Sequence, residues 1–210
     1  MRNKFIWVMV LFVLAGAAVS GAGSISHASP EAMDGVTSST MFRYDLPANW
    51  KITNGTEAEK FRKEIEATTK QMAQSYASDS GAYQAEVGIK AFKAIRLPEG
   101  SGWLLDYEVS ISPQKDYLNR MVREQKEKIA WGKKQGIVTN VLEQGIVEIN
   151  GTEVVKVELE MRQGYYNVLL YYWTQDRPDR VGTMNLLVNP GAYKRLKDDI
   201  DRLMNTLEIG

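Results

Sequence analysis

The sharpest alternation of apolar and polar positions in this chain runs through Val155, Val157, Leu159 and Met161, which are interleaved with Lys156, Glu158, Glu160 and Arg162. A period of two marks a strand with one face buried and one in water. Gln163 and Gly164 supply a turn with φ > 0 at the glycine, and the chain returns through Tyr165 to Trp173. Here both faces are apolar, with Tyr166, Val168, Leu170 and Tyr172 on one and Tyr165, Leu169, Tyr171 and Trp173 on the other. Such a strand lies centrally and needs a layer on each side. Glu148 to Gln175 is therefore the hairpin around which the rest of the chain is arranged.

Three helical patterns offer the layers. Phe61, Ile65, Thr68, Met72 and Tyr76 recur at helical spacing within 57–77, after an Asn54-Gly55-Thr56 turn in which Thr56 and Glu59 form a capping box. Ser112 and Pro113 open a second helix that carries Leu118, Met121, Val122, Ile129 and Ala130 and ends at Lys134. Asn189 and Pro190 start a third. Its Tyr193, Leu196, Ile200, Leu203 and Leu207 form one apolar seam, expected to cover the Tyr166, Val168, Leu170 face. The first two helices are the natural cover for the other.

The remaining strands are short. Met41–Asp45 runs into Pro47, which cannot continue a central ladder, and Trp50 plugs the core at its end. Tyr83–Ile95 and Trp103–Ile111 flank a loop rich in proline and glycine, with Leu105, Tyr107, Val109 and Ile111 alternating with Asp106, Glu108 and Ser110. Ile137–Leu142 and Gly145–Ile149 read as one bent strand ending in the Asn150-Gly151 turn, and Val181–Val188 follows the exposed loop 176–180. The fold class is α+β, an antiparallel β-sheet flanked by helices.

The N-terminus breaks this pattern. Arg2 and Lys4 precede an apolar run from Phe5 to Leu14 and then small residues, the three regions of a secretory signal. Ser26 and Ala28 suit cleavage after Ala28, and Ser20 and Ala22 suit cleavage after Ala22; the alternative is an uncleaved anchor over residues 5–25. The division expected is signal 1–28, flexible leader 29–39 and one domain over 40–210. The chain carries 26 basic and 26 acidic residues; removal of Arg2 and Lys4 leaves it slightly acidic, with no nucleic-acid signature. It has no cysteine, and its one histidine, His27, falls in the signal. A mature chain of this kind cannot build a Ser-His-Asp or Cys-His site, a zinc centre of the usual ligands, or a haem held by His or Cys. No cofactor and no lipid-anchoring cysteine are expected.

Phe42-Arg43-Tyr44-Asp45-Leu46-Pro47-Ala48-Asn49-Trp50 resembles the opening aromatic-x-x-x-Leu-Pro-x-x-Trp segment of the PsbP-like fold, and so do Ile149-Asn150-Gly151 after a Val-rich strand and the closing Asn205-Thr206-Leu207-Glu208-Ile209. That fold is shared by the extrinsic photosystem II subunit, by Mog-type Ran-binding proteins and by DcrB-like bacterial envelope proteins, the last being nearest in character. The resemblance implies a PsbP-like α/β/α sandwich, here with an extra long helix after the first strand. It also implies a non-enzymatic accessory role with an envelope protein partner, and it carries over no catalytic or metal residue.

Two chemistries compete for the surface. Tyr165, Leu169, Tyr171 and Trp173 with Arg177 and Arg180 combine aromatic and arginine side chains, the commonest interface anchors, unless helices cover them. Carboxylates alone, Glu158 with Glu160 or Asp106 with Glu108, would serve an acid–base hydrolase of envelope glycans, although regular alternation equally describes solvated strand faces. Trp131, Lys133 and Lys134 could touch anionic headgroups, yet lysines at a helix C-terminus also complement its dipole.

Overall fold

The computed structural model describes residues 40–80, 88–110 and 116–210, with the side chains of residues 70–80 outside the description. The expected signal, the leader, and the Ser112-Pro113 helix start lie outside the described residues. In chain order the elements are β1 (Phe42–Arg43), β2 (Lys51–Thr53), α1 (Thr56–Ser80), β3 (Gly88–Arg96), β4 (Gly102–Ser110), α2 (Tyr117–Lys134), β5 (Val138–Ile149), β6 (Thr152–Met161), β7 (Tyr166–Tyr172), β8 (Arg180–Val188), α3 (Tyr193–Asn205) and β9 (Glu208–Ile209). Seven strands form one antiparallel sheet in the order β2-β3-β4-β8-β7-β6-β5, and β1 pairs antiparallel with β9 outside it. The fold is α+β, an antiparallel sheet with helices on both faces.

The two hairpins at the heart of the sheet follow from their turns. Gln163 and Gly164 both take positive φ, 66° and 84°, the pairing that a tight reversal between right-twisted strands needs. Asn150 and Gly151 do the same at 48° and 81°, and the Asn150 amide donates to the Leu207 carbonyl at 2.7 Å. That bond ties the β5–β6 turn to the end of α3.

One face of the sheet is covered as the seam of the last helix predicts. Leu196, Ile200 and Leu203 of α3, with Leu207, pack against Tyr166, Val168, Leu170, Leu104 and Leu186. Met41, Phe42 and Trp50 complete this core, so Trp50 is the buried plug expected. Each of these large side chains contributes about 1.5–3 kcal/mol by leaving water. On the opposite face, α1 buries Ala58, Phe61 and Ile65, with Phe61 edge-on to Trp103 at 5.0 Å. Helix α2 buries Tyr117, Met121, Gln125, Ile129 and Gly132. A Cβ at Gly132 would stand 2.8 Å from the Val138 side chain, so the close approach of α2 to β5 requires this glycine.

Several boundaries differ from the pattern-based reading. Helix α2 begins at Tyr117, after Asp116 in a left-handed conformation at φ 98°. Helix α3 begins at Tyr193 rather than at Asn189-Pro190, because Gly191 at φ 76° turns the chain first. The Glu59 carboxylate accepts two 2.8 Å hydrogen bonds from Arg62, which engages both of its oxygens one turn along the helix instead of closing a box on Thr56. Lys51–Thr53 adds an edge strand that its exposed, mixed sequence did not announce. The bent strand is continuous over Val138–Ile149, with register irregularities between Val138 and Asn140 and between Val141 and Glu143. Among the described residues no helix is long and apolar enough to cross a membrane.

Candidate functional site

The predicted aromatic surface is divided by α2. Leu169 is 5% exposed, and the Tyr171 hydroxyl accepts a hydrogen bond from Gln125 of α2 at 3.2 Å. Burial, then the neighbouring Tyr107, push the Tyr171 phenol well above its ordinary range. Leu169 is buried and Tyr171 half-buried, with its hydroxyl held against α2, the helix that the sequence offered as their cover. Tyr165 is half-buried at the hairpin turn, where its carbonyl accepts from the Met161 N–H. Arg180 is drawn inward to Glu108 at 3.3 Å. Trp173 and the exposed Arg177 remain at the open end.

Trp173 stands at a groove of about 530 Å³. Its ring lies 6.4 Å from that of Tyr117, and its indole N–H points to the Pro178 carbonyl at 3.4 Å. Three segments meet here. The start of α2 brings Asp116, Tyr117 and Asn119; the β5–β6 hairpin brings Ile146, Thr152 and Glu153; and the β7–β8 loop brings Thr174, Gln175 and Asp176. Asn119 donates to Asp116 at 2.6 Å, which helps to hold the left-handed Asp116. The floor is aromatic and the rim carries three carboxylates and several amide and hydroxyl groups. Such a surface suits a ligand that stacks on an indole and brings positive charge or hydrogen-bond donors.

The carboxylate pairs have separate fates. Asp106 and Glu108 do not form a solvated strand face. Their strand, β4, is third in the sheet, between β3 and β8, and Met41 and Phe42 lie over this end of it, against Gly182. Asp106 is 0% exposed and Glu108 1%. The Thr40 hydroxyl donates to Asp106 at 2.6 Å, the Tyr44 hydroxyl at 3.0 Å, and the Lys93 ammonium lies at 3.6 Å. Burial nevertheless prevails over these partners and raises the Asp106 carboxyl to about 6. Burial, then Asp106, push the Tyr44 phenol up as well. One oxygen of each carboxylate, Asp106 Oδ1 and Glu108 Oε1, is buried without a hydrogen-bond partner.

Glu158 and Glu160 share a strand face but differ in setting. Glu158 lies under α3 beside a cleft of about 410 Å³. It accepts from the Tyr166 hydroxyl at 2.6 Å and pairs with Lys156 at 2.9 Å, and Lys156 also reaches Glu143 at 2.6 Å. Tyr166 stacks on Tyr193 at 3.9 Å. Glu160 is exposed, near Asn140. Glu158 thus sits between a lysine and a phenol at the cleft, Glu160 does not line it, and the two glutamates do not converge on one cavity. Trp131 is half-buried and Lys133 and Lys134 are exposed on the last turn of α2, where the lysines complement the helix dipole. Among the described residues no group of three or more Asp, Glu, His or Cys is placed to hold a metal ion.

Sequence reasoning found Trp173 and missed Asp116, Asn119, Glu153 and Asp176. The turns that carry Glu153 and Asp176 were legible. Their convergence depends on where α2 starts.

No family model matches the chain and no curated protein matches it. Among solved structures it is similar to cyanobacterial PsbP (CyanoP) from Synechocystis, at 9% identity and a TM-score of 0.46 over 91% of this chain and 99% of that one. It is also similar to a protein of unknown function from Pseudomonas aeruginosa, at 15% identity and a TM-score of 0.40 over 62% of this chain and 88% of that one. A PsbP-type structure is thus among its structural neighbours. At this level of similarity neither neighbour transfers a function.

Proposed function

We propose that this chain is a non-enzymatic binding or accessory protein of the bacterial cell envelope, DcrB-like in character and exported by its N-terminal segment. In this reading it meets a protein partner at the Trp173 groove. The observation that carries the reading is the groove itself, where a half-buried indole backed by Tyr117 is ringed by Asp116, Glu153 and Asp176. Its complement is a basic segment whose Lys or Arg lies over Trp173, an arrangement worth about 0.5–2 kcal/mol per cation–π contact. The absence of cysteine, and of any histidine beyond His27, agrees with a binding role.

The test is in-host cross-linking of a C-terminally tagged chain, with Trp173→Ala and Asp176→Lys as variants and melting temperature as the check on folding. Specific capture by the parent, lost in both folded variants, supports the groove. Capture that survives both variants removes it. Tyr171→Ala is unsuitable for this purpose, because Tyr171 is part of the packing under α2. N-terminal sequencing of the native protein tests export, with a mature chain starting at Ser29 as the expected result.

A carboxylate-only hydrolase is the second reading, and buried Asp106 with its raised proton affinity is what favours it. Asp106 and Glu108 line neither the Trp173 groove nor the cleft under α3, so a glycan at either place would not reach them.

A further inference from the structure

We infer that strand β5 is a self-pairing edge, and that two copies of this chain join through it about a two-fold axis at Ile146. Among the described residues, strand β5 closes one side of the seven-stranded sheet and pairs only with β6. Its first part is interrupted by two register irregularities, whereas Glu143–Ile149 pairs regularly with Glu158–Thr152. Ile146 is the midpoint of that regular stretch and is 37% exposed.

The hairpin fixes which backbone groups face outward. In a two-residue turn such as Asn150-Gly151, the flanking Ile149 and Thr152 form a hydrogen-bonded pair, and the pairs then alternate along the ladder. Gln144, Ile146 and Glu148 therefore present their N–H and C=O groups to the open edge. A two-fold at Ile146 sets Ile146 against its own copy and each Gln144 opposite the other chain's Glu148. The result is about six backbone hydrogen bonds.

The side chains agree with this register. Gln144, Ile146 and Glu148 share the α2 face of the sheet, because they pair in register with Val157, Val155 and Glu153. The Gln144 amide nitrogen is buried without an acceptor, and rotation of that side chain toward the edge gives it the carboxylate of Glu148 in the second copy. Glu143, held by its own Lys156, falls opposite Ile149. No two like charges face each other. A two-fold at Gln144 would run through the irregularity at Val141–Glu143, and one at Glu148 would run into the turn. An isologous contact of this type closes on itself, so the edge is consumed rather than left to propagate.

The full chain and its edge variants are compared by sedimentation velocity. The parent is expected to form a reversible dimer. Ile146→Lys places two ammonium groups at the axis and should raise the dissociation constant about 100-fold or more. Gln144→Glu alone should weaken the dimer by opposing Glu148, and adding Glu148→Gln should restore it. The chain has no cysteine, so single cysteines report the register directly. Ile146→Cys should oxidise to a covalent dimer, since hydrogen-bonded antiparallel partners have Cα atoms about 5.5 Å apart. Gln144→Cys should not, because its own copy lies four residues away, roughly 14 Å. A monomeric parent, a dimer indifferent to Ile146→Lys, or equal cross-linking at both positions would overturn the inference. So would pairing of the edge with an extended segment of another protein in place of a second copy.

Discussion

Asp106→Asn is the perturbation that most directly probes the interior of this fold. The carboxyl is fully buried on β4, with Thr40, Tyr44 and Lys93 around one oxygen and no hydrogen-bond partner for the other. The next residue on that face is Glu108, with its Arg180. Asp106 titrates near 3.8 in its ordinary state and near 6 in the fold. Between those values the folded chain binds more protons than the unfolded chain, so stability is greatest below about pH 4 and falls as pH rises through about 6. The full difference is about 3 kcal/mol. Asparagine keeps the shape and removes the titration. Urea unfolding of parent and variant at a series of pH values should show the parent losing about 2.4 kcal/mol of this relative to Asp106→Asn between pH 4 and pH 7. Lys93→Met should steepen the parent's loss by taking away the cation that favours the charged form. Stability curves that run parallel across this range would refute the argument, because burial would then not govern this carboxyl.

Arg180→Met removes the cation paired with buried Glu108 and should cost about 2–4 kcal/mol in urea unfolding, somewhat below a fully buried pair because Arg180 is 40% exposed; Glu108→Gln in the same background should recover most of it. Gly102→Ala should abolish folding or expression, since Gly102 sits at φ 151° and its Cβ would lie 2.1 Å from the Leu187 carbonyl oxygen. Gly132→Ala should cost about 1–3 kcal/mol by pushing α2 off β5, and Val138→Ala should restore part of it, because the obstructing atom is the Val138 side chain; thermal melts of the two singles and the double decide this.

What was legible in the sequence was whatever a local period encodes. The alternation of Val155 to Met161, the Asn150-Gly151 turn and the seam of Leu196, Ile200 and Leu203 each fix an element and its buried side, and the element order then fixes an antiparallel sheet with helices on it. Asp106 and Glu108 show where this stops. Their alternation with Leu105, Tyr107 and Val109 describes a strand with one polar face, and no local pattern tells whether that face meets water or another layer. The segment that buries it, Met41 and Phe42, arrives from more than sixty residues away and is held by pairing with Glu208–Ile209. The Trp173 groove was half-legible for the same reason. Aromatic alternation marked the strand, while the start of α2, displaced to Tyr117 by the left-handed Asp116, decided which of its aromatics stay open.

Covering both sheet faces constrains where anything can bind. Leu169 and Tyr171 are lost to α2, while Val168 and Leu170 are lost to α3, so the broad apolar faces that would ordinarily anchor a partner are spent on the fold itself. What remains are the margins of the sheet. One is the end where loops and a helix start meet around Trp173; another is the long edge strand β5, which is regular only from Glu143 to Ile149. Ile146 belongs to both margins, lining the groove and marking the centre of the edge. A two-fold there runs perpendicular to the joined sheet and leaves both grooves on the same side, one from each copy. Two linked grooves gain avidity for a partner with repeated basic segments without any further contact. Ile146→Lys should therefore weaken capture of such a partner more than it weakens binding of a single basic peptide, whereas Trp173→Ala should weaken both alike.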